Sequence, residues 1–358
     1  MMSAAAYLPA PRLGEWLKEL SGRYLVLAPQ ARGDTVVFAP FTGDAEPVLD
    51  RDAAMPPKQA VFPATEELLR YRRVKDPEDP GKVDVEVSAS LRAVETVVFG
   101  AKPCGARGFL AYDRVFRSPA ISDPYYAARR AKTLFITMAC AAPGNSCFCH
   151  WVGSGPSDSS GSDILLTPVA DGFVVQAVNE RGEELMNSPL LEPAGTREAK
   201  AREIQDAAAK ALPAAPDISR AKDSLMAVFE DLAFWEEVSA KCISCGACTY
   251  LCPTCYCFDI GDEDKGMSGR RLRTWDNCMS FRFTLEASGH NPRPTKAHRL
   301  RNRVGHKFSY YPALHGGAVA CCGCGRCVRL CPVSVDIREI VLAAIARAAR
   351  VREESAHD

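Results

Sequence analysis

Along the first two hundred residues, apolar and polar positions alternate between short β-rich runs and helical stretches. Residues 24–27, 35–38, 83–87, 96–99, 133–138 and 173–178 are rich in β-branched, aromatic and other apolar side chains, and they predict strands. Proline-rich stretches at 56–63 and 76–81 read as loops within one unit, because strand-like patterning resumes on both sides. Residues 196–212, dominated by Ala, Glu and Lys, predict a helix that Pro213 and Pro216 bring to an end. A domain boundary is expected there, with a mixed α/β domain over 1–215 and a second domain over 216–358. From Ala221 onward, Leu225, Val228, Phe229, Leu232, Trp235 and Val238 recur at spacings of three and four, so one helix with a buried face is expected. A further helix is expected over about 336–350, with Ile337, Ile340, Val341, Ala344 and Ile345 turned inward.

The length of 358 residues suits two domains, each able to bury a core. No uncharged apolar run reaches the roughly 20 residues of a membrane-spanning helix, and no charged n-region followed by an apolar h-region opens the chain. A cytoplasmic protein outside the membrane is therefore expected. Sixteen cysteines change the picture: residues 1–241 hold four, and the remaining 117 hold twelve. In a reducing compartment, such clustering reads as metal ligation before it reads as disulfides.

Residues 242–253 place Cys242, Cys245, Cys248 and Cys252 in a C-x2-C-x2-C-x3-C-P run. Residues 321–332 repeat it with Cys321, Cys324, Cys327 and Cys331. Three thiolates at this spacing wrap three corners of a cubane, and glycines let backbone N–H groups approach the sulfurs. The fourth cysteine points away from its own loop and ligates the other cluster in two-cluster ferredoxins. Two 4Fe-4S clusters are thus expected, one on Cys242, Cys245, Cys248 and Cys331, the other on Cys321, Cys324, Cys327 and Cys252. A pair of zinc sites would need only two C-x2-C knuckles and neither the third cysteine nor the Cys-Pro. The fold class that follows is α+β, with the mixed domain followed by a helical, ferredoxin-type dicluster domain. Its default function is electron transfer.

Cys104, Cys140, Cys147 and Cys149 lie near predicted strand ends or in Gly/Pro-rich loops. They are candidates for a third 4Fe-4S cluster; the alternative is that Cys140 is a small buried hydrophobe and the rest incidental. Cys255, Cys257 and Cys278 read either as packing around the clusters or as a separate metal site or redox-active thiol, and Cys322 as a buried neighbour of a cubane. A catalytic thiol or disulfide reductase centred on Cys255, Cys257 or Cys278 is the alternative function.

Sixty-eight residues separate Cys252 from Cys321, a long insertion that is expected to be structured. Residues 265–307 carry eleven basic and two acidic side chains, and residues 216–264 carry three basic and ten acidic, so the zero net charge hides a strong local separation. Nearby arginines would offset the negative charge of the clusters; a solvated surface docking an acidic partner is the other reading. Nucleic-acid binding is not expected, because charges and aromatics follow no known reader. No G-x-G-x-x-G follows a predicted strand and no Walker A sequence occurs, so a flavin or nicotinamide site is expected on another polypeptide.

These residues resemble the iron–sulfur (beta) subunits of soluble NAD(P)-linked hydrogenases, or sulfhydrogenases, and the related A subunit of anaerobic sulfite reductases. The resemblance is carried by Gly100-Ala-Lys-Pro-Cys104, Asp123-Pro-Tyr-Tyr126 with Arg129, Cys147-Phe-Cys149, Cys252-Pro-Thr-Cys255-Tyr-Cys257, Trp275-Asp-Asn-Cys278, Gly289-His-Asn-Pro-Arg293-Pro294 and the second cysteine motif. Where the family carries an aspartate after the first of these cysteines and an aliphatic residue at position 322, this sequence has Gly105 and Cys322. The resemblance implies a 4Fe-4S dicluster subunit that passes electrons between a flavoprotein (FAD, NAD(P)H) subunit and a catalytic hydrogenase or sulfite reductase subunit.

Overall fold

The computed structural model describes residues 4–79 and 81–357. Its main sheet has eight strands in the order β10-β1-β9-β8-β7-β6-β2-β3: β1 (Ala6–Pro9), β2 (Leu25–Arg32), β3 (Thr35–Pro40), β6 (Thr96–Ala101), β7 (Thr133–Met138), β8 (Ile164–Val169), β9 (Gly172–Ala177) and β10 (Glu192–Pro193). Strands β2, β6, β7 and β8 run parallel, and the remaining pairings are antiparallel. The parallel centre is covered on both faces, so β6 and β7 are buried throughout and carry only threonine among polar residues. Val97, Phe99, Leu134 and Ile136 face Trp16, Leu17 and Leu20 of the helix Leu13–Ser21. Val98 and Phe135 face Phe109, Tyr112 and Phe116 of the helix Phe109–Phe116, together with Tyr126.

A second sheet, β11-β12-β4-β5, combines β4 (Thr65–Lys75) and β5 (Val83–Ala89) with β11 (Phe258–Asp264) and β12 (Ser268–Trp275). It draws strands from both sides of residue 215. The long insertion between the cysteine motifs is therefore partly a hairpin laid on the N-terminal part of the chain, with Arg273 of β12 buried between Glu66 of β4 and Asp123. Acidic Asp262 and Glu263 pair across the hairpin with Arg271 and Arg270. Much of the charge separation seen in the sequence is thus satisfied internally.

The single helix expected from Ala221 to Val238 is two, Ala221–Ala227 and Leu232–Ser239. Asp231 interrupts it: its carboxylate accepts from Phe234 N at 3.1 Å as an N-cap and pairs with Arg347 at 2.8 Å. The apolar spacing still serves one core, because both short helices pack on the same neighbours. That core joins Leu225, Trp235, Leu300, Val304 and Phe308 to Ile337, Ile340, Val341 and Ala344 of the helix Ile337–His357, and it also takes in Phe148 and Val152 from the N-terminal part. Each such side chain contributes about 1.5–3 kcal/mol through burial. Phe148 N also donates to Gly323 O at 2.8 Å, which fixes the loop carrying Cys147 and Cys149 against the second cysteine motif. The helix expected over 196–212 is observed as Arg197–Lys210. Among the described residues no helix is long and apolar enough to cross a membrane.

Candidate iron–sulfur site

The two cysteine motifs fold as copies of one loop. Ser244 and Gly323 take left-handed conformations (φ 56° and 62°), as do Gly246 and Gly325 (φ 78° and 69°). Short helices Ala247–Tyr250 and Arg326–Arg329 follow and lead into Cys252-Pro253 and Cys331-Pro332. The left-handed turns aim backbone N–H groups at sulfur: Ser244 N lies 3.4 Å from Cys242 Sγ, and Gly323 N lies 3.4 Å from Cys321 Sγ. A third N–H, from Val335, lies 3.3 Å from Cys331 Sγ. Glycine is required at 323, where a Cβ would stand 2.4 Å from the backbone of Cys149.

Two cavities lie between the loops. One, of about 40 Å³, is lined by Cys242, Cys245, Cys248 and, from the other motif, Cys331. The other, of about 10 Å³, is lined by Cys321, Cys324, Cys327 and, from the first motif, Cys252. Cys327 and Arg303 border both. Apolar Met279, Leu300, Val335 and Ile340 wall the first cavity, and Phe148 and Ile337 the second. Among the described residues no three His, Cys, Asp or Glu side chains converge on a point suited to one metal ion. The cysteines ring volumes instead, with N–H donors on sulfur and an apolar wall, a donor set that suits cubane clusters better than tetrahedral zinc.

Buried cations sit against these sulfurs. Lys307 Nζ lies 3.4 Å from Cys252 Sγ and donates to Thr254 Oγ1 and Ala320 O, both at 2.9 Å. Burial would lower its pKa, but Cys252, Cys255 and Cys321 outweigh that and raise it well above the usual lysine range. Arg303 Nη1 lies 3.6 Å from Cys255 Sγ, while Nη2 is buried without a hydrogen-bond partner. Lys307 occupies a π-helical turn, His306–Tyr310, that continues the helix Lys296–Gly305 carrying Arg303. Of the basic segment, these two residues meet the sulfurs, whereas Arg299 and Arg301 are spent on backbone carbonyls. The thiols respond unequally. A hydrogen bond from Cys255 lowers the Cys252 pKa against the effect of burial, with Lys307 and Arg303 assisting. Burial pushes the Cys321 thiol up to about 12. A hydrogen bond from Cys322 brings Cys324 down to about 6, with Arg326 assisting.

Cys104, Cys140, Cys147 and Cys149 come together beyond the carboxyl ends of β6 and β7, where open α/β sheets commonly bind ligands. Cys104 is the second residue of the helix Pro103–Arg107, which begins one residue after β6, and Cys140 lies two residues beyond β7. Cys104 has Cys324, Cys147 and Cys140 as charged neighbours; Cys149 has Cys147 and Cys140. Burial raises the pKa of each, that of Cys149 to about 11. This group abuts the second cavity through Cys324. Cys322, buried between the two, contacts Cys324 and has Cys104 as a neighbour. Cys255, Cys257 and Cys278 sit beside Cys252 and Cys248.

Sequence reasoning missed Lys58, which is buried in a proline-rich loop, donates to Cys255 O at 3.4 Å and lies 4.0 Å from the Trp275 ring centroid. It also missed Tyr112, whose hydroxyl donates to Cys255 O. Nothing in the local pattern distinguishes either. Arg303 and Lys307 had a signal, a basic pair four residues apart inside an apolar helix pattern with Leu300, Val304 and Phe308.

The description of a family, 4Fe-4S dicluster domain, matches residues 241–335. The chain is 32% identical over 248 residues to the sulfhydrogenase 2 beta subunit of Pyrococcus furiosus, covering 67% of this chain and 71% of that protein. No solved structure matches. The match to the relative spans well over half of both chains, and the domain match falls on the two loops whose cysteines ring the cavities: the chain belongs to the family of sulfhydrogenase beta subunits and carries a 4Fe-4S dicluster domain.

Proposed function

We propose that this chain is the electron-transfer subunit of a cytoplasmic multi-subunit oxidoreductase, relaying electrons between a flavoprotein subunit that handles NAD(P)H and a catalytic hydrogenase or sulfite reductase subunit. Cys242, Cys245, Cys248 and Cys331 hold one 4Fe-4S cluster, and Cys321, Cys324, Cys327 and Cys252 the other. Cys104, Cys140, Cys147 and Cys149 hold a third. Residues 216–358 form the dicluster unit and residues 1–215 support it and supply the third site. The observation that supports this reading is that each cavity is lined by three cysteines of one motif together with the last cysteine of the other, Cys327 bordering the first as well and Cys322 the second.

Each cluster, when bound, takes up and returns one electron. The chain's own residues set how readily. Lys307 and Arg303 offset negative charge at the sulfurs and favour reduction; N–H groups of Ser244, Gly323 and Val335 do the same by donating to sulfur. Apolar walls exclude water and sharpen both effects. A cleft of about 860 Å³ opens onto Cys321 and Cys322 and carries Arg114 and Lys222 on its rim, so a partner seated there would stand close to the second cluster. The test is iron and sulfide counting on anaerobically purified protein. About twelve iron atoms per chain supports three clusters, about eight supports two and removes the third, and none sinks the reading.

A further inference from the structure

Cys104 and Cys140 follow the carboxyl ends of β6 and β7, whereas Thr133 opens β7 and Asp163 immediately precedes β8 at their amino ends. At those amino ends lies a cavity of about 560 Å³ that no cysteine lines; Arg117, Arg130 and Arg181 line it together with the loop 159–162, Ser-Ser-Gly-Ser. The three arginines come from three elements: Arg117 follows the helix Phe109–Phe116, Arg130 lies in the last turn of the helix Pro124–Lys132, and Arg181 belongs to the helix Glu180–Leu185. Each is tethered and keeps donors free. Asp113, fixed by Tyr126 Oη at 2.9 Å, accepts from Arg130 Nε at 3.3 Å and stands 3.8 Å from Arg117 Nη1, beyond a hydrogen bond. Arg181 Nη2 donates to Thr133 O at 3.1 Å, and its Nη1 stands 3.9 Å from Asp163. Among the described residues, the terminal nitrogens of Arg117 and Arg130 make no hydrogen bond.

The acceptors nearby are already engaged. Asp163, the one carboxylate in the lining, accepts from Phe135 N at 2.7 Å and from Asn179 Nδ2 at 3.1 Å. The serine loop is held in place from both ends: Asp158 accepts from Arg107 Nη1 at 2.7 Å and from Ser160 N at 2.8 Å, and Gly161 is left-handed (φ 83°), with a Cβ position only 2.7 Å from Ala106 O. The cavity therefore presents guanidinium donors from three sides on a fixed frame, and a ligand that carries negative charge and accepts in several directions complements it. We infer that this cavity binds a tetrahedral oxyanion, the phosphate of a small soluble ligand. A carboxylate holds its two oxygens in one plane and matches one guanidinium fork; a phosphate has acceptors for all three. The inference does not depend on the cluster reading, because none of the proposed cluster ligands takes part.

The experiment is a calorimetric titration of the full chain, purified anaerobically, in chloride buffer of fixed ionic strength, with inorganic phosphate in one arm and ribose 5-phosphate in the other. Saturable binding of a single equivalent is expected. Arg117→Gln and Arg181→Gln, each checked for its fold by circular dichroism, are expected to weaken it by about tenfold or more. Arg181→Lys, which keeps the charge and loses the fork, is expected to fall between, and Arg12→Gln, at an exposed arginine paired with Glu192, to change nothing. Tighter binding of ribose 5-phosphate assigns the cavity to a phosphate ester, and tighter binding of inorganic phosphate assigns it to the free ion. No saturable binding in either arm overturns the inference, as does binding that Arg12→Gln weakens as much as the cavity variants do. Binding of a glutamate-rich peptide where neither phosphate compound binds also overturns it, by making the cavity a seat for an acidic protein segment.

Discussion

Lys307 is a long cationic side chain taken wholly out of water, and three acceptors hold it: Cys252 Sγ, Thr254 Oγ1 and Ala320 O. A charge some 4 Å from a redox centre is worth about 1 to 4 kcal/mol for an effective dielectric between 80 and 20. Lys307→Met is therefore expected to lower the reduction potential of the second cluster by roughly 40–170 mV, read by a potentiometric titration followed by electron paramagnetic resonance. An unchanged potential would remove the charge-offset role. His306, next to it, is the opposite case. Burial, with Lys307 and Arg303 nearby, depresses its pKa to about 4, and Tyr256 Oη lies 3.0 Å from its Nε2. The folded state thus holds it neutral while the unfolded chain protonates near 6.5. Stability from this group is complete above about pH 6.5 and is lost as pH falls toward 4, at roughly 1.4 kcal/mol per unit. His306→Gln should flatten that part of the stability-against-pH curve measured by chemical unfolding; an identical slope in the variant would count against it.

At the scale of elements, the hairpin β11–β12 decides how the two parts of the chain meet. Its Arg273 is 3% exposed, with Nε 3.0 Å from Glu66 and Nη1 2.6 Å from Asp123. Arg273→Met leaves Glu66 to its ion pair with Arg129 alone and is expected to destabilise by about 1–3 kcal/mol, with Glu66→Gln in the same chain recovering part of it; a loss below about 0.5 kcal/mol would place the pair among ornamental contacts. This element also marks the limit of what the sequence discloses. Strand β7 was legible to the residue because it is buried on both faces and every residue in it is β-branched or apolar. Strand β4 was not: residues 65–75 are mostly charged, and the partner that satisfies those charges, β12, lies about two hundred positions away. The hairpin was visible only as its charges, an acidic run then a basic one, whose cross-strand pairing is a tertiary fact. The cysteine spacings disclosed that the two loops are copies of one another, since the repeat fixes the loop geometry. They could not foretell that Phe148 would seat the third group of cysteines against Gly323, because that contact joins residues with no common local pattern.

Across the whole molecule the cysteines follow one another from the loops to the main sheet. The first cavity shares Cys327 with the second, the second reaches Cys104 through Cys324, and Cys104 leads to Cys140 and Cys147 at the ends of the main sheet. The series has one exposed end at Cys245. On the proposal of a third cluster, such an order would make that site a terminus rather than a link, and its removal should then spare the dicluster and interrupt only what enters or leaves through the sheet side. Cys104→Ala removes the thiol of a half-buried residue and is expected to lower iron by about four atoms per chain while the signals of the other two proposed clusters persist. If the proposed complex passes electrons through this site, flow from NAD(P)H to the terminal acceptor should then fall by orders of magnitude. The paired measurement separates the possibilities. Lost iron with unimpaired flow would make the third cluster a side branch, whereas unchanged iron would return Cys104 and its three neighbours to ordinary packing.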